Sequence, residues 1–151
     1  MIELILFFIA HFLADFVFQS REMGEKKSKD LKVLFEHGCI LSTVFFITTW
    51  IVMDFVTYVA PSATSTKTVI GMVLIVPFIH CLQDWYIWRG YKYFVRWRIA
   101  KKDFKGDINN TWMEESFNIY EYWKDKWFYA TIGLDQTLHF ITIVAVYSWL
   151  K

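Results

Sequence analysis

Three apolar stretches of the chain each carry a histidine and an aspartate spaced four residues apart. The pairs are His11/Asp15, His80/Asp84 and Asp135/His139. In an α-helix, side chains at i and i+4 lie on the same face, one turn apart, so each pair can converge on one point. An aspartate at the centre of a membrane helix costs about 3 kcal/mol on insertion scales. A pattern that repeats in spite of this cost indicates a role in chemistry or in contacts between helices.

The titratable residues of the apolar stretches form a set of possible metal ligands. Four imidazoles and three carboxylates are a mixed nitrogen and oxygen set typical of zinc, manganese or iron. Seven candidates exceed what one tetrahedral ion needs, so either two ions share the site or some groups orient ligands or act as a base. The predicted ligands are His11, Asp15, His37, His80, Asp84, Asp135 and His139.

Some polar residues of this set are assigned other roles. We predict that Asp84 or Asp15 acts as the catalytic base if it is not a ligand. Gln19 and Gln136 lie close to the candidate ligands in sequence, and we expect them to orient ligands or substrate. Polar contacts between helices, each contributing about 0.6 kcal/mol, are the alternative explanation for any one of these residues.

The composition indicates that lipid is the solvent for much of the chain. Hydrophobic residues make up 56% of the 151 residues and aromatic residues 21%, which is more than one small soluble core can bury. Four stretches reach the roughly 20 residues that a spanning helix needs. We predict an all-α fold: a single membrane domain, residues 1–151, in which four transmembrane helices form a bundle. The predicted spans are approximately 2–20, 33–54, 67–88 and 129–150.

Basic residues are concentrated in two of the connections between the spans. Five lie in the first connection and nine in the third, whereas the second connection and the C-terminus have one each. The positive-inside rule then predicts that the first and third connections are cytoplasmic and both termini are outside. With this topology, every candidate ligand lies at the centre or in the cytoplasmic half of its helix.

The third connection, about 89–128, mixes aromatic and basic residues as segments at a membrane surface do. We predict a cytoplasmic interfacial helical segment, with a second helix starting near Thr111, because Thr111 and Glu114 have capping-box spacing. An arm that packs against the bundle without lipid contact is the alternative. Basic residues at the cytoplasmic rim are predicted to hold an anionic group, and they are Lys26, Lys27, Arg89 and Lys92.

At these residues the chain resembles a family of small bacterial and phage integral-membrane proteins of unassigned function. The family pattern H-x3-D-F-x2-Q, a basic turn, an isolated histidine, H-x3-D and D-Q-x2-H is matched over all four spans by residues 11–19, 26–27, 37, 80–84 and 135–139. More remotely, the chain is similar to inner-membrane proteins described as metal-dependent hydrolases, which also place histidines and aspartates in membrane helices. The resemblance implies a bacterial cytoplasmic membrane and a hydrolytic activity. Ile87 departs from the pattern, because family members tend to have a lysine there.

The leading functional prediction is a metal-dependent membrane hydrolase that acts on a lipid-borne ester or phosphate at the cytoplasmic leaflet. One or two divalent ions, zinc or manganese, would activate water and polarise a phosphoryl or acyl oxygen. Membrane lipid is the expected partner, no nucleic-acid partner is expected, and a homo-oligomer stays open. The net charge of +1 by itself argues neither for nor against nucleic acid. The alternative is a non-enzymatic protein, with an ion or proton path through the polar centre or a basic arm that binds a partner.

Overall fold

The computed structural model describes residues 2–59, 66–102 and 125–150, and within these ranges all regular secondary structure is helical. A π-helical turn, Leu13–Val17, continues the first helix, and another, Gly71–Ile75, joins the fourth helix to the fifth. The all-α prediction is confirmed for this part of the chain. The helices are α1 Ile2–Phe12, α2 Arg21–Lys26, α3 Leu31–Val59, α4 Thr66–Ile70, α5 Val76–Lys102 and α6 Lys126–Leu150.

The N-terminal helix is shorter than its predicted span. The wide turn closes with Phe18 N–H donating to the Leu13 carbonyl at 2.9 Å, and helical structure ends at Val17 instead of residue 20. Ser20 then caps α2, because its Oγ accepts the Met23 N–H at 3.1 Å. A strong N-cap therefore starts a new helix where hydrophobicity alone predicted that the first would continue.

Three helices in the described part of the chain are long and apolar enough to cross a membrane. They are Leu31–Val52, Lys67–Arg98 and Lys126–Leu150, and each overlaps one of the predicted spans. Large apolar side chains on these helices face outward, among them Trp50, Phe78 and Trp149, which are 63%, 66% and 76% exposed. An outer surface of this kind is compatible with contact to lipid.

The helices pack so that α1 contacts α3 and α6, while α5 contacts the same two helices. Phe7 of α1 stacks on Phe45 of α3 with ring centroids 5.8 Å apart, and it also contacts Tyr147 of α6 at 6.1 Å. Met72 and Ile143 belong to the same buried cluster, which we call the apolar core. Since the core draws on every long helix, it holds their polar residues in a fixed register.

The third connection does not separate from the helices as predicted. Residues 89–102 continue α5 without a break, since a single glycine, Gly90, costs only about 1 kcal/mol in a helix. At the other end, Arg98 forms an ion pair with Asp125 at 2.8 Å, just before α6. The predictions for residues 103–124, including a helix near Thr111, lie outside the described residues.

Candidate metal centre

Seven buried histidines and aspartates come together from the N-terminal helix, α3, α5 and α6. They fall into three overlapping groups, and within each group one possible ligand atom per residue lies within 4.8 Å of the others. These seven are the same residues that the sequence analysis proposed as ligands. We call them the His/Asp cluster: His11, Asp15, His37, His80, Asp84, Asp135 and His139.

One half of the cluster, the carboxylate half, contains two aspartates bridged by two imidazoles. His37 Nε2 lies 3.3 Å from Asp15 Oδ1 and 3.3 Å from Asp84 Oδ2. His80 Nε2 lies 3.1 Å from the same Asp84 oxygen and 3.0 Å from His37 Nε2. Asp15 reaches this point from the π-helical turn, a type of turn that is frequent at functional sites.

A lysine from the first connection enters the carboxylate half. Lys27 Nζ lies 2.9 Å from Asp84 Oδ2 and 3.2 Å from Asp15 Oδ1, and the residue is only 4% exposed. Burial by itself lowers the pKa of Lys27, but the carboxylates of Asp84 and Asp15 outweigh it and hold the pKa above its usual value. Lys27 therefore carries its charge into the buried cluster.

The other half, the imidazole half, joins His11, His80 and His139 with Asp15. The rings of His80 and His139 stack with centroids 3.8 Å apart, and the His11 ring lies 5.1 Å from each. Both ring nitrogens of His11 and both of His139 are buried without a hydrogen-bond partner among the described residues. Unsatisfied buried polar groups cost about 1–3 kcal/mol each, whereas a metal ion would use their lone pairs. The residues present therefore fit a divalent metal ion.

The two predicted glutamines lie in different surroundings. Gln136 Nε2 donates to Asp15 Oδ2 at 3.0 Å and lies 3.4 Å from Asp135 Oδ2, so it contacts two cluster carboxylates. Gln19 follows the end of the first helix at Val17 and lines a cavity beside the cluster.

A cavity of about 550 Å³ lies beside the cluster. Asp15, Lys27, Asp135 and Gln136 line the part that reaches the cluster. The remaining lining combines apolar walls with basic residues of the first connection and α5, and it also includes Gln19, Gly24 and the acidic Glu25. The apolar residues are Phe16, Trp88, Tyr91, Phe128 and Ile132, and the basic ones are Arg21, Lys29 and Lys92.

The first connection is fastened to α5 beside this cavity. Arg89 Nε donates to the Ser28 carbonyl at 2.9 Å while its guanidinium stacks 3.5 Å above the Trp85 ring. Lys92 Nζ donates to Ser28 Oγ and to the Glu25 carbonyl at 3.3 Å. These contacts fix the segment that delivers Lys27 to the cluster.

A family model described as "Protein of unknown function (DUF3307)" matches residues 3–151. The chain belongs to this family. It shows no match to a curated protein and none to a solved structure. The family description agrees with the unassigned function of the proteins that the motifs resemble, and it leaves a membrane location and a hydrolytic activity as predictions.

The four basic residues predicted to bind an anion lie in different surroundings in the structure. Lys27 lies inside the cluster, and Lys92 lines the cavity. Arg89 binds the backbone of the first connection, and the exposed Lys26 pairs with Glu22 at 2.6 Å. Of the four, Lys27 and Lys92 are thus the two that line the cavity.

The sequence analysis did not find the cavity walls or the buried position of Lys27. The walls draw on residues of the first helix, α5 and α6 that are distant in sequence, so no local pattern marks them. For Lys27, the available signal was its place in the basic turn between the first H-x3-D motif and α3.

Proposed function

We propose that this protein is a metal-dependent hydrolase that acts on a lipid-borne ester or phosphate at the cytoplasmic leaflet. The observation that carries the proposal is a cavity that ends on a buried His/Asp cluster fitted to a divalent ion. In this proposal four helices, including the short first one, form a bundle in the bacterial cytoplasmic membrane. The basic first and third connections lie on the cytoplasmic side, and both ends of the four-span unit lie outside.

The cluster residues divide into holding and proton-accepting groups. The three ligand histidines and Asp15 of the imidazole half would hold zinc or manganese, which supplies Lewis-acid activation of water and of a phosphoryl or acyl oxygen. Asp84 can accept the proton from water, since its Oδ1 has no hydrogen-bond partner among the described residues. Gln136 keeps the Asp15 carboxylate oriented through its 3.0 Å hydrogen bond.

The lining of the cavity supports a substrate that is both anionic and lipid-like. Phe16, Trp88 and Phe128 offer apolar contact to the start of an acyl or prenyl chain. Lys29 and Lys92 bring positive charge, which attracts phosphate head groups at a membrane surface. The volume of the cavity lies within the roughly 300–1,000 Å³ of ordinary ligand pockets.

The position of the apolar core favours hydrolysis over an ion or proton path. Phe7 precedes His11 in α1, and Phe45 follows His37 in α3, so the core adjoins the cluster on the side away from the basic connection. A conducting path needs polar groups or water on both sides of the cluster. Phe7 and Phe45 stack with ring centroids 5.8 Å apart, and neither ring offers a polar group to such a path.

The test combines metal analysis with a hydrolysis assay on detergent-purified protein. We expect stoichiometric zinc or manganese in the wild type, and release of inorganic phosphate from phosphatidic acid or a polyprenyl phosphate, or of fatty acid from a phospholipid, in mixed micelles. His80→Ala should lose both the metal and the activity, because His80 belongs to two of the three ligand groups.

Gln83→Ala is the matched control on the same helix. Gln83 lies three residues after His80, but its Nε2 donates to Thr142 Oγ1 at 3.0 Å and to the Leu138 carbonyl at 3.3 Å, neither of which belongs to a cluster side chain. It should keep metal and activity. Metal retained at the wild-type level in a folded His80→Ala protein would contradict the proposal, and a wild type without metal would move the search to ion flux and to protein partners.

A further inference from the structure

The ammonium group of Lys27 lies at a position where a second metal ion could bind. Its Nζ contacts Asp84 Oδ2 at 2.9 Å and Asp15 Oδ1 at 3.2 Å, and His37 Nε2 approaches the same two oxygens at 3.3 Å each. Paired catalytic ions lie about 3.5–4 Å apart and share carboxylates in this way. In the carboxylate half, the positive charge that two aspartates require is therefore already supplied by the chain.

The imidazole half is built differently. His11 and His139 are fully buried, and neither has a hydrogen-bond partner for its ring nitrogens in the described part of the chain. An ion bound there gains nitrogen ligands without displacing an existing ion pair. The carboxylates of one half thus already have a cation, whereas the ring nitrogens of the other half lack a partner in the described part of the chain. A metal ion is therefore expected in the imidazole half.

Lys27 is held in this position by its neighbours in the first connection. Its own N–H donates to the Met23 carbonyl at 2.8 Å, at the end of α2. The next residue, Ser28, is 1% exposed and accepts hydrogen bonds from Arg89 and Lys92 of α5. A metal ion that displaced the Lys27 ammonium would have to leave a buried charge without its partners or break this attachment, which is costly.

We propose that Lys27 takes the place of a second metal ion, so that the centre holds a single divalent ion bound by His11, Asp15, His80 and His139. This inference rests on the proposed function, of which the metal centre is a part. Because Lys27 also lines the cavity, its ammonium supplies positive charge to an anionic substrate in the way a second ion does in two-metal hydrolases.

The experiment is metal titration of the full-length protein in detergent, with Mn²⁺ as the probe. Bound Mn²⁺ is counted by equilibrium dialysis and elemental analysis, and its electron paramagnetic resonance spectrum reports whether two ions are coupled. We expect one ion per chain in the wild type, with the resolved hyperfine lines of an isolated ion. Lys27→Met should bind a second ion with a coupled, broadened spectrum, since two carboxylates lose their cation.

Lys26→Met is the matched control, because Lys26 is the preceding residue, is exposed and pairs with Glu22. It should bind one ion, like the wild type. Two ions in the wild type, or only one in a folded Lys27→Met protein, would overturn this inference and leave the proposed hydrolase intact. No bound ion in the wild type overturns both. If Lys27→Met does not fold, the wild-type count still tests the inference, because two ions per chain would overturn it.

Discussion

At the scale of single residues, His11 and His139 are the most informative members of the cluster. Buried polar groups are almost always hydrogen-bonded, so two adjacent imidazoles without partners among the described residues require an explanation. Ion-pair contacts do not provide it, because His11 Nε2 lies 3.9 Å from Asp15 Oδ2 and His139 Nε2 lies 3.7 Å from Asp135 Oδ1. Both distances exceed a hydrogen bond, whereas a metal ion would take one ring nitrogen of each histidine as a ligand.

Replacing His139 by leucine should therefore affect the free energy of unfolding differently in the absence and in the presence of metal. In metal-free protein we expect unchanged or slightly higher stability, because an unsatisfied polar group is replaced by an apolar one of similar size. In the wild type, an ion at 100 times its dissociation constant should add about 2.7 kcal/mol to the free energy of unfolding. The variant should lose this gain, as measured by thermal unfolding in detergent with EDTA or Zn²⁺.

Thr137→Leu serves as the control for the His139 variant. Thr137 is exposed on the same helix, and its Oγ1 donates to the Gly133 carbonyl one turn earlier, at 2.7 Å, rather than to a cluster residue. This control should keep the stabilisation by Zn²⁺. An equal stabilisation of His139→Leu by the ion would show that His139 is not a ligand.

At the scale of elements, the sequence predicted the long helices and the cluster better than it predicted helix ends. The pairing of His80 with Asp84 depends only on helical periodicity, and that is a local property. The position of Lys27 depends on how the first connection docks on α5 through Ser28, which is a tertiary contact between distant segments. No pattern within the connection itself specifies that contact, so Lys27 was predicted at the rim and not inside.

The two π-helical turns belong to the features that periodicity could not predict. The first carries Asp15 into the cluster and stops the N-terminal helix at Val17. The second begins at Gly71, where α6 comes very close to the backbone. In each case the turn lies where the chain packs against a neighbouring helix. The periodicity of the sequence does not report such contacts between distant segments.

Alanine at Gly71 and at Gly133 should change stability in opposite directions. A Cβ at Gly71 would lie 1.8 Å from Leu150 Cδ1 and 3.3 Å from Val146 Cγ1, whereas a Cβ at Gly133 meets nothing within 4 Å. We expect Gly71→Ala to lose about 1–3 kcal/mol through overpacking. Gly133→Ala should gain up to about 1 kcal/mol, because alanine is the better helix former.

Denaturant titration of the two glycine variants in the same detergent gives the comparison. Neither residue belongs to the cluster, so their Zn²⁺ affinities should match that of the wild type. Stabilisation by alanine at both positions would mean that α6 does not approach Gly71 as closely as described.

At the scale of the whole molecule, the described helices form three successive zones along their length. The apolar core occupies one end, the His/Asp cluster follows, and the cavity with its basic lining lies at the other end. The positive-inside rule, applied to the lysines and arginines of the first connection, assigns the cavity end to the cytoplasm. The cavity and the basic residues of the first connection thus lie at the same end of the helices, which is the end that the proposed topology places in the cytoplasm.

Cysteine labelling tests this orientation. In a background with Cys39 and Cys81 replaced by alanine, Lys29→Cys and Lys67→Cys introduce single thiols at two exposed positions on either side of α3. We expect a membrane-impermeant maleimide to label Lys29→Cys only in inverted vesicles and Lys67→Cys only in right-side-out vesicles. The cysteine-free parent measures nonspecific labelling. Labelling of Lys29→Cys and Lys67→Cys from the same side would contradict a membrane-spanning α3.

Labelling of a further single cysteine in the same cysteine-free protein tests whether the short N-terminal helix crosses the membrane. Ile2–Val17 extends about 24 Å at 1.5 Å per residue, against a hydrocarbon thickness of about 30 Å. Phe7 nevertheless contacts Phe45 near the middle of α3 and Tyr147 in the last turn of α6, so α1 runs alongside both helices. A short helix can span by local thinning of the bilayer at modest cost. We therefore expect Ile2→Cys to be labelled from the same side as Lys67→Cys, and labelling from the side of Lys29→Cys would leave three spans instead of four.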